Sequence, residues 1–260
     1  MKKPIKVYLC DLTYDTMILV SDTIPINIGF ISSYLKSKLG EQVIIELFKY
    51  PNDLLNKIKS DPPDILGLSN YSWNSNLSEY FAKTTKGLNS NCIVIQGGTN
   101  FPHTQEEQKN FLLNRPNTDL YVLFEGERST LRVVERYLAT QNKPELFFES
   151  PIDGCTFIDP KTRETNEPKL VTGKYLERIK DLDEIPSPYL TGILDNFFDG
   201  KLTPFIETNR GCPFTCSFCH TGSDYFHKLN KFSGERVKEE IYYVAKKSRK
   251  LSITNLHMAD

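Results

Sequence analysis

Apolar positions in the first 140 residues switch repeatedly between a strand period and a helix period. Ile5-Lys-Val-Tyr-Leu-Cys10 is a near-continuous apolar run of strand length, and Ile28, Ile31, Leu35 and Leu39 recur at helical spacing until Gly40 ends the set. The same alternation continues along the chain: a strand over Val43–Phe48, a short helix over Asn52–Ile58, a strand over Asp64–Ser69 and a helix over Ser75–Leu88. Strands over Cys92–Gln96 and Asp119–Phe124 and a closing helix over Ser129–Leu138 complete the region. Strands and helices in alternation predict an α/β fold, a doubly wound, Rossmann-type parallel sheet covered by helices on both faces.

Ligands of such sheets bind beyond the carboxyl ends of the strands. Those ends carry Asp11, Ser69-Asn70-Tyr71, Gly97-Gly98-Thr99-Asn100 and Glu125-Gly126-Glu127. Paired glycines serve a tight turn, or leave a bare backbone that a large flat ligand can approach; the sequence admits both.

From residue 141 the pattern changes. Turn residues such as Asp153-Gly154 and Asp159-Pro160 punctuate short alternating runs, and Pro186-Ser-Pro188 forces an extended entry to an expected short amphipathic helix over Tyr189–Phe198. Residues 141–203 are therefore expected to form a β-hairpin and linker bridge between a domain at 1–140 and a second one starting at 204. There Phe205-Ile-Glu-Thr208 reads as a strand. Ser233 is the N-cap of a helix striped by Val237, Ile241, Val244 and Ala245, and Leu251–Met258 reads as a further strand. The basic run Lys246–Lys250 ends that helix, where it complements the helix dipole.

Between the first of these strands and the helix lies Arg210-Gly-Cys-Pro-Phe-Thr-Cys-Ser-Phe-Cys-His220. Thiolates suit iron–sulfur clusters or zinc, and Cys212, Cys216 and Cys219 on one loop are spaced to converge on one centre. Three thiols leave one iron of a [4Fe–4S] cluster open to a further ligand. The alternative is structural zinc, with His220 or His227 as fourth ligand. Cys10, Cys92 and Cys155 lie far apart, and the first two fall on or beside apolar strands, where cysteine behaves as a small hydrophobe.

Composition narrows the classes. With 260 residues, 39% of them hydrophobic, the chain can build two cores, and a formal net charge of -1 gives no electrostatic reason to expect nucleic acid or an anionic membrane as partner. No apolar run approaches the roughly 20 residues that span a bilayer, and Met1-Lys-Lys-Pro4 leads into a strand pattern instead of a signal peptide, so a cytoplasmic location is expected.

The CxxxCxxC spacing, with Phe218 before the last cysteine and Arg210-Gly-Cys-Pro213 at its start, resembles the signature of cobalamin-dependent radical S-adenosylmethionine enzymes. The Gly97-Gly98 and Glu125-Gly126-Glu127 turns resemble the family's cobalamin-binding domain, and Asp183-Glu-Ile-Pro186 its linker. The resemblance implies a cobalamin-binding-like domain followed by the start of a radical S-adenosylmethionine partial (β/α) barrel. It implies a [4Fe–4S] cluster on Cys212, Cys216 and Cys219, S-adenosylmethionine near Phe218 and Asp260, and cobalamin near Ser69, Gly97, Gly98, Glu125, Gly126 and Glu127.

The implied reaction is radical methyl transfer to an unactivated carbon, with radical ring closure or rearrangement, or a non-catalytic binding module, as alternatives. No side chain is assigned a catalytic role, because the cofactors carry the hard chemistry. The implied partners are a small-molecule or peptide substrate and an electron donor such as a flavodoxin or ferredoxin. Two departures from the family pattern stand out: Phe124 replaces the first glycine of Gly-Glu-Gly-Glu, and the loop from Asp11 to Ile26 has no histidine to offer cobalt. The family barrel has about six βα units, so the chain is expected to be the front part of a longer enzyme.

Overall fold

The computed structural model describes residues 3–16, 19–140 and 143–259. The chain divides into two compact units, Met1–Val20 with Lys38–Leu176, and Ser21–Ser37 with Glu177–Asp260. Each is described by itself. Among the described residues no helix is long and apolar enough to cross a membrane.

The first unit is a mostly parallel sheet. Its strands are β1 (Ile5–Cys10), β2 (Val43–Phe48), β3 (Ile65–Ser69), β4 (Ile93–Gly97), β5 (Leu120–Val122), β6 (Cys155–Ile158) and β7 (Leu170–Thr172), in the order β2-β1-β3-β4-β5-β6-β7. β1 to β5 pair in parallel, and β6 and β7 extend the edge antiparallel. The hairpin read from sequence as part of a bridge is thus the edge of this sheet. Thr156 and Cys155 pair with Tyr121 and Val122, and pairing across that distance leaves no local trace in the sequence.

The order 2-1-3-4-5 is flavodoxin-like, with its switch in strand order between β1 and β3. β3 is buried along its whole length, as a strand with both faces covered must be. Tyr8, Cys10, Leu66, Leu68, Val94, Leu54, Ile58 and Phe81 share one core cluster, so helices α2 (Pro51–Ser60) and α3 (Ser75–Leu88) pack on one face of the strands. A helix that the apolar pattern did not suggest, α4 (Gln105–Leu113), starts at Thr104, whose hydroxyl accepts from Glu107 N at 3.3 Å. α5 (Gly126–Thr140) closes the region, and the short α6 (Pro144–Phe147) follows it.

In the second unit, β8 (Phe205–Glu207) pairs in parallel with β11 (His257–Ala259), connected through α7 (Gly234–Arg249). This is the strand–helix–strand repeat from which barrels are built. Most of α1 (Ile26–Leu39) falls in this unit, where Phe30 stacks on Phe232 with centroids 5.5 Å apart. The expected helix over Tyr189–Phe198 does not form. The Ser187 side chain accepts from Leu190 N at 3.1 Å, Gly192 takes φ +75°, and only a short 3-10 turn at Asp195–Phe197 remains. The turn has its own use, since the Tyr189 hydroxyl donates to Phe205 O at 2.8 Å and accepts from Phe205 N at 3.2 Å, fixing the start of β8.

Candidate functional site

The carboxyl edge of the first sheet is built around a buried ion pair. Lys49 follows β2 directly and its side chain is 0% exposed; its ammonium donates to Asp11 Oδ2 at 3.1 Å. The other carboxylate oxygen accepts from Ser69 Oγ at 2.6 Å, so the residue that follows β1 and the last residue of β3 are joined at the switch point. Asn74 continues the network, donating to Ser69 Oγ at 2.9 Å and to Leu12 O at 3.3 Å. Its amide oxygen accepts from Tyr71 N at 2.8 Å, which shapes the loop after β3. A charge this deeply buried must be paired and hydrogen-bonded, and this one is. Sequence reasoning missed Lys49 and Asn74; the available signal was a lysine placed immediately after the apolar strand Val43–Phe48.

Gly97 and Gly98 stand beside this network. Ser69 is the register partner of Gly97, and Asn70 N donates to Gly97 O at 2.6 Å. Gly98 has φ +127°, and a Cβ there would lie 2.7 Å from Asn70 O, so the fold itself requires a glycine. A Cβ on Gly97 would meet only Val122, at an ordinary 3.5 Å, so the fold does not demand this second glycine. Its bare backbone is the kind of surface a flat ligand can cover.

Tyr71 and Trp73 stack with centroids 4.6 Å apart on the β3 side of the turn, and Trp73 is 45% exposed. Tyr71 was named from sequence as part of the end of β3, whereas Trp73 was not. Glu125 and Gly126 are half-buried, whereas Glu127 lies buried in the first turn of α5. His103 is exposed on the loop before α4.

In the second unit the cysteine loop is closed at its base by a short antiparallel ladder between Asn209–Arg210 (β9) and Asn230–Lys231 (β10), and by Cys212 N donating to Phe226 O at 2.8 Å. Arg178 donates to Lys228 O, and its guanidinium lies over the Tyr225 and Phe226 rings. Two glycines permit close passage of the chain. At Gly211 (φ +109°) a Cβ would lie 2.2 Å from Lys228 O, and at Gly222 it would lie 2.3 Å from Cys216 O.

Cys216 and Cys219 are exposed and Cys212 is half-buried. Among the described residues, no group of three or more His, Cys, Asp or Glu is gathered closely enough to hold a metal ion. The Cys219 thiol is held below the ordinary thiol value by hydrogen bonds from the Thr221 hydroxyl and from the Thr221 and Gly222 amides, an environment suited to a thiolate ligand. Phe218 is 91% exposed. His227 Nε2 is 3.2 Å from Gly222 O, within the loop. Asp260 lies outside the described residues. Cys10, Cys92 and Cys155 are buried, and burial raises their thiol pKa values, in keeping with small core residues.

No family model matches the chain. The cobalamin-dependent radical SAM methyltransferase TokK of Streptomyces tokunonensis is 32% identical over 190 residues, 71% of this chain and 26% of the relative. The chain is a homologue of cobalamin-dependent radical S-adenosylmethionine enzymes. A 2-(S-pantetheinyl)-carbapenam-3-carboxylate methyltransferase of Streptantibioticus cattleyicolor is also 32% identical over 190 residues, 70% of this chain and 26% of the relative. The chain thus spans about a quarter of the length of these curated relatives.

The solved structure of the cobalamin-dependent S-adenosylmethionine radical enzyme OxsB, with aqua-cobalamin and S-adenosylmethionine bound, shares the fold. It aligns with TM-score 0.71 and 22% identity over 99% of this chain and 34% of that one.

Proposed function

We propose that the chain is part of a cobalamin-dependent radical S-adenosylmethionine methyltransferase. In this reading Cys212, Cys216 and Cys219 hold a [4Fe–4S] cluster, Phe218 packs against S-adenosylmethionine, and the carboxyl edge of the first sheet takes cobalamin. The observation that carries it is the three-thiol loop at the carboxyl end of β8, the first strand of a β8–α7–β11 repeat. Active sites of barrels of this kind are built on the loops that follow the strands.

When bound, the cluster and S-adenosylmethionine supply a 5′-deoxyadenosyl radical and cobalamin a transferable methyl group. The chain's own contribution is binding and orientation. The ladder of β9 and β10 holds the thiol loop at its base, and Gly222 lets the loop fold over the Cys216 carbonyl. Gly97 leaves a bare backbone at the sheet edge, and Ser69, held by Asp11 and Asn74, fixes the strand end beside it. Because no histidine stands between Asp11 and Ile26, cobalt receives no histidine from that loop. A small-molecule or peptide substrate, a flavodoxin- or ferredoxin-like reductant and a cytoplasmic location complete the reading.

Anaerobic reconstitution of the full chain with iron, sulfide and hydroxocobalamin tests it. About four irons per chain are expected, together with retained cobalamin, and Ala at any one of the three cysteines lowers the iron without affecting the cobalamin. Stoichiometric zinc without iron overturns the cluster assignment.

A further inference from the structure

Phe124 is one of two non-glycine residues with positive φ among the described residues, at φ 58°, in the turn between β5 and α5. A bulky side chain in the left-handed region is an outlier, where glycine would sit without cost. Burial does not explain the choice. The Phe124 ring is 40% exposed, and it meets edge-on a ring that is more exposed still, Tyr175 at 61%, with centroids 5.4 Å apart and planes at 79°. A strained backbone that holds an aromatic ring out at a strand end is the kind of outlier that clusters at ligand sites.

The position matches. Phe124 stands two residues after Val122, the register partner of Gly97, and the intervening Leu123 N donates to Gly154 O at 2.8 Å. The bare turn after β4 is therefore flanked by the Tyr71–Trp73 stack on the β3 side and by the Phe124–Tyr175 pair on the β5 side. Neighbouring strands lie about 4.8 Å apart, so the strands carrying these pairs are roughly 10 Å apart, a spacing suited to a wide planar macrocycle instead of a single small ring.

We infer that Phe124 and Tyr175 form an aromatic wall that contacts the corrin macrocycle, with the strain at Phe124 accepted in return for that contact. The inference rests on the proposed cobalamin site. Both residues are positioning residues, not catalytic ones.

Hydroxocobalamin and dicyanocobinamide, which lacks the nucleotide tail, are titrated by absorbance into the wild-type chain, Phe124→Gly and Tyr175→Ala, with unfolding followed in parallel. Phe124→Gly is expected to weaken both ligands five- to tenfold while its unfolding midpoint stays or rises, since glycine removes the strain. Tyr175→Ala, a change at an exposed ring, weakens both two- to fivefold with the midpoint unchanged. Binding by both variants within the error of wild type overturns the inference and leaves the cobalamin reading standing. So does a loss confined to hydroxocobalamin, or a Phe124→Gly midpoint that falls along with affinity. Failure of the wild-type chain to bind either ligand overturns both.

Discussion

Replacing Lys49 by Met is expected to be among the most damaging single changes in the first unit, because Lys49 is a fully buried charge. The ammonium is 0% exposed and its carboxylate partner 10%, at 3.1 Å. With so little solvent contact, water cannot take over the role of Lys49 once it is gone. Removing one partner of a buried pair typically costs about 3–5 kcal/mol, because the other charge stays buried without compensation. Asp11 would keep its 2.6 Å hydrogen bond from Ser69; a hydrogen bond to a charged group contributes about 1.5–3 kcal/mol. That remaining bond places the expected cost at the lower end, about 3 kcal/mol.

Asp11→Asn alone leaves the ammonium buried and is expected to cost a similar amount. The double variant removes both charges, so it should cost less than the sum of the two, with a coupling of about 2 kcal/mol, within the range for residues in contact. Trp73 is the chain's sole tryptophan, one residue from Asn74, which belongs to the same network, so its fluorescence in a urea titration reports this unit. A Lys49→Met loss below about 1 kcal/mol, or single-variant effects that add within about 0.5 kcal/mol, would refute the argument that the pair is a closed buried unit.

The β–α alternation was legible in sequence because runs such as Ile5–Cys10 and Ile65–Ser69 are buried on both faces, and both-face burial writes itself as an unbroken apolar run. α4 escaped because its apolar content is thin, yet Thr104-Gln-Glu-Glu107 carries the capping-box sequence signature that announces a helix start, and the Thr104 hydroxyl accepts from Glu107 N. What sequence pattern cannot carry is partnership between distant segments. The pairing of β6 with β5 and the stacking of Phe30 on Phe232 are decided by packing, which moved the hairpin into the first sheet and most of α1 into the second unit. The cysteine loop was legible because ligand chemistry is fixed by residue type and spacing. The Lys49–Asp11–Ser69–Asn74 network was not, because each member alone reads as an ordinary polar residue after a strand.

Three further outcomes are expected. Alkylation of the native, metal-free chain should modify Cys212, Cys216 and Cys219 and spare the buried Cys10, Cys92 and Cys155 until denaturant is added; mass spectrometry locates the labels. Burial raises the Asp195 carboxyl, but hydrogen bonds from Lys247 Nζ at 2.7 Å and the Tyr243 hydroxyl at 2.5 Å outweigh it and leave the pKa below its ordinary value. Its stabilisation is therefore present above the ordinary carboxylate pKa and is lost as pH falls through the lowered one, so Asp195→Asn should flatten the acid limb of a stability–pH profile. Finally, the neighbouring glycines should respond oppositely to alanine. Gly98→Ala forces a Cβ at φ +127° to within 2.7 Å of Asn70 O, the carbonyl that accepts from Asn100 N at 3.1 Å, so both the backbone and the turn's hydrogen bond suffer. A loss of about 2 kcal/mol or more is expected from strain alone. Gly97→Ala meets only Val122 at 3.5 Å and should leave the urea midpoint nearly unchanged, while covering the bare backbone and weakening hydroxocobalamin binding. If Gly97→Ala instead destabilises as strongly as Gly98→Ala and leaves binding intact, Gly97 belongs to the turn and not to the ligand face.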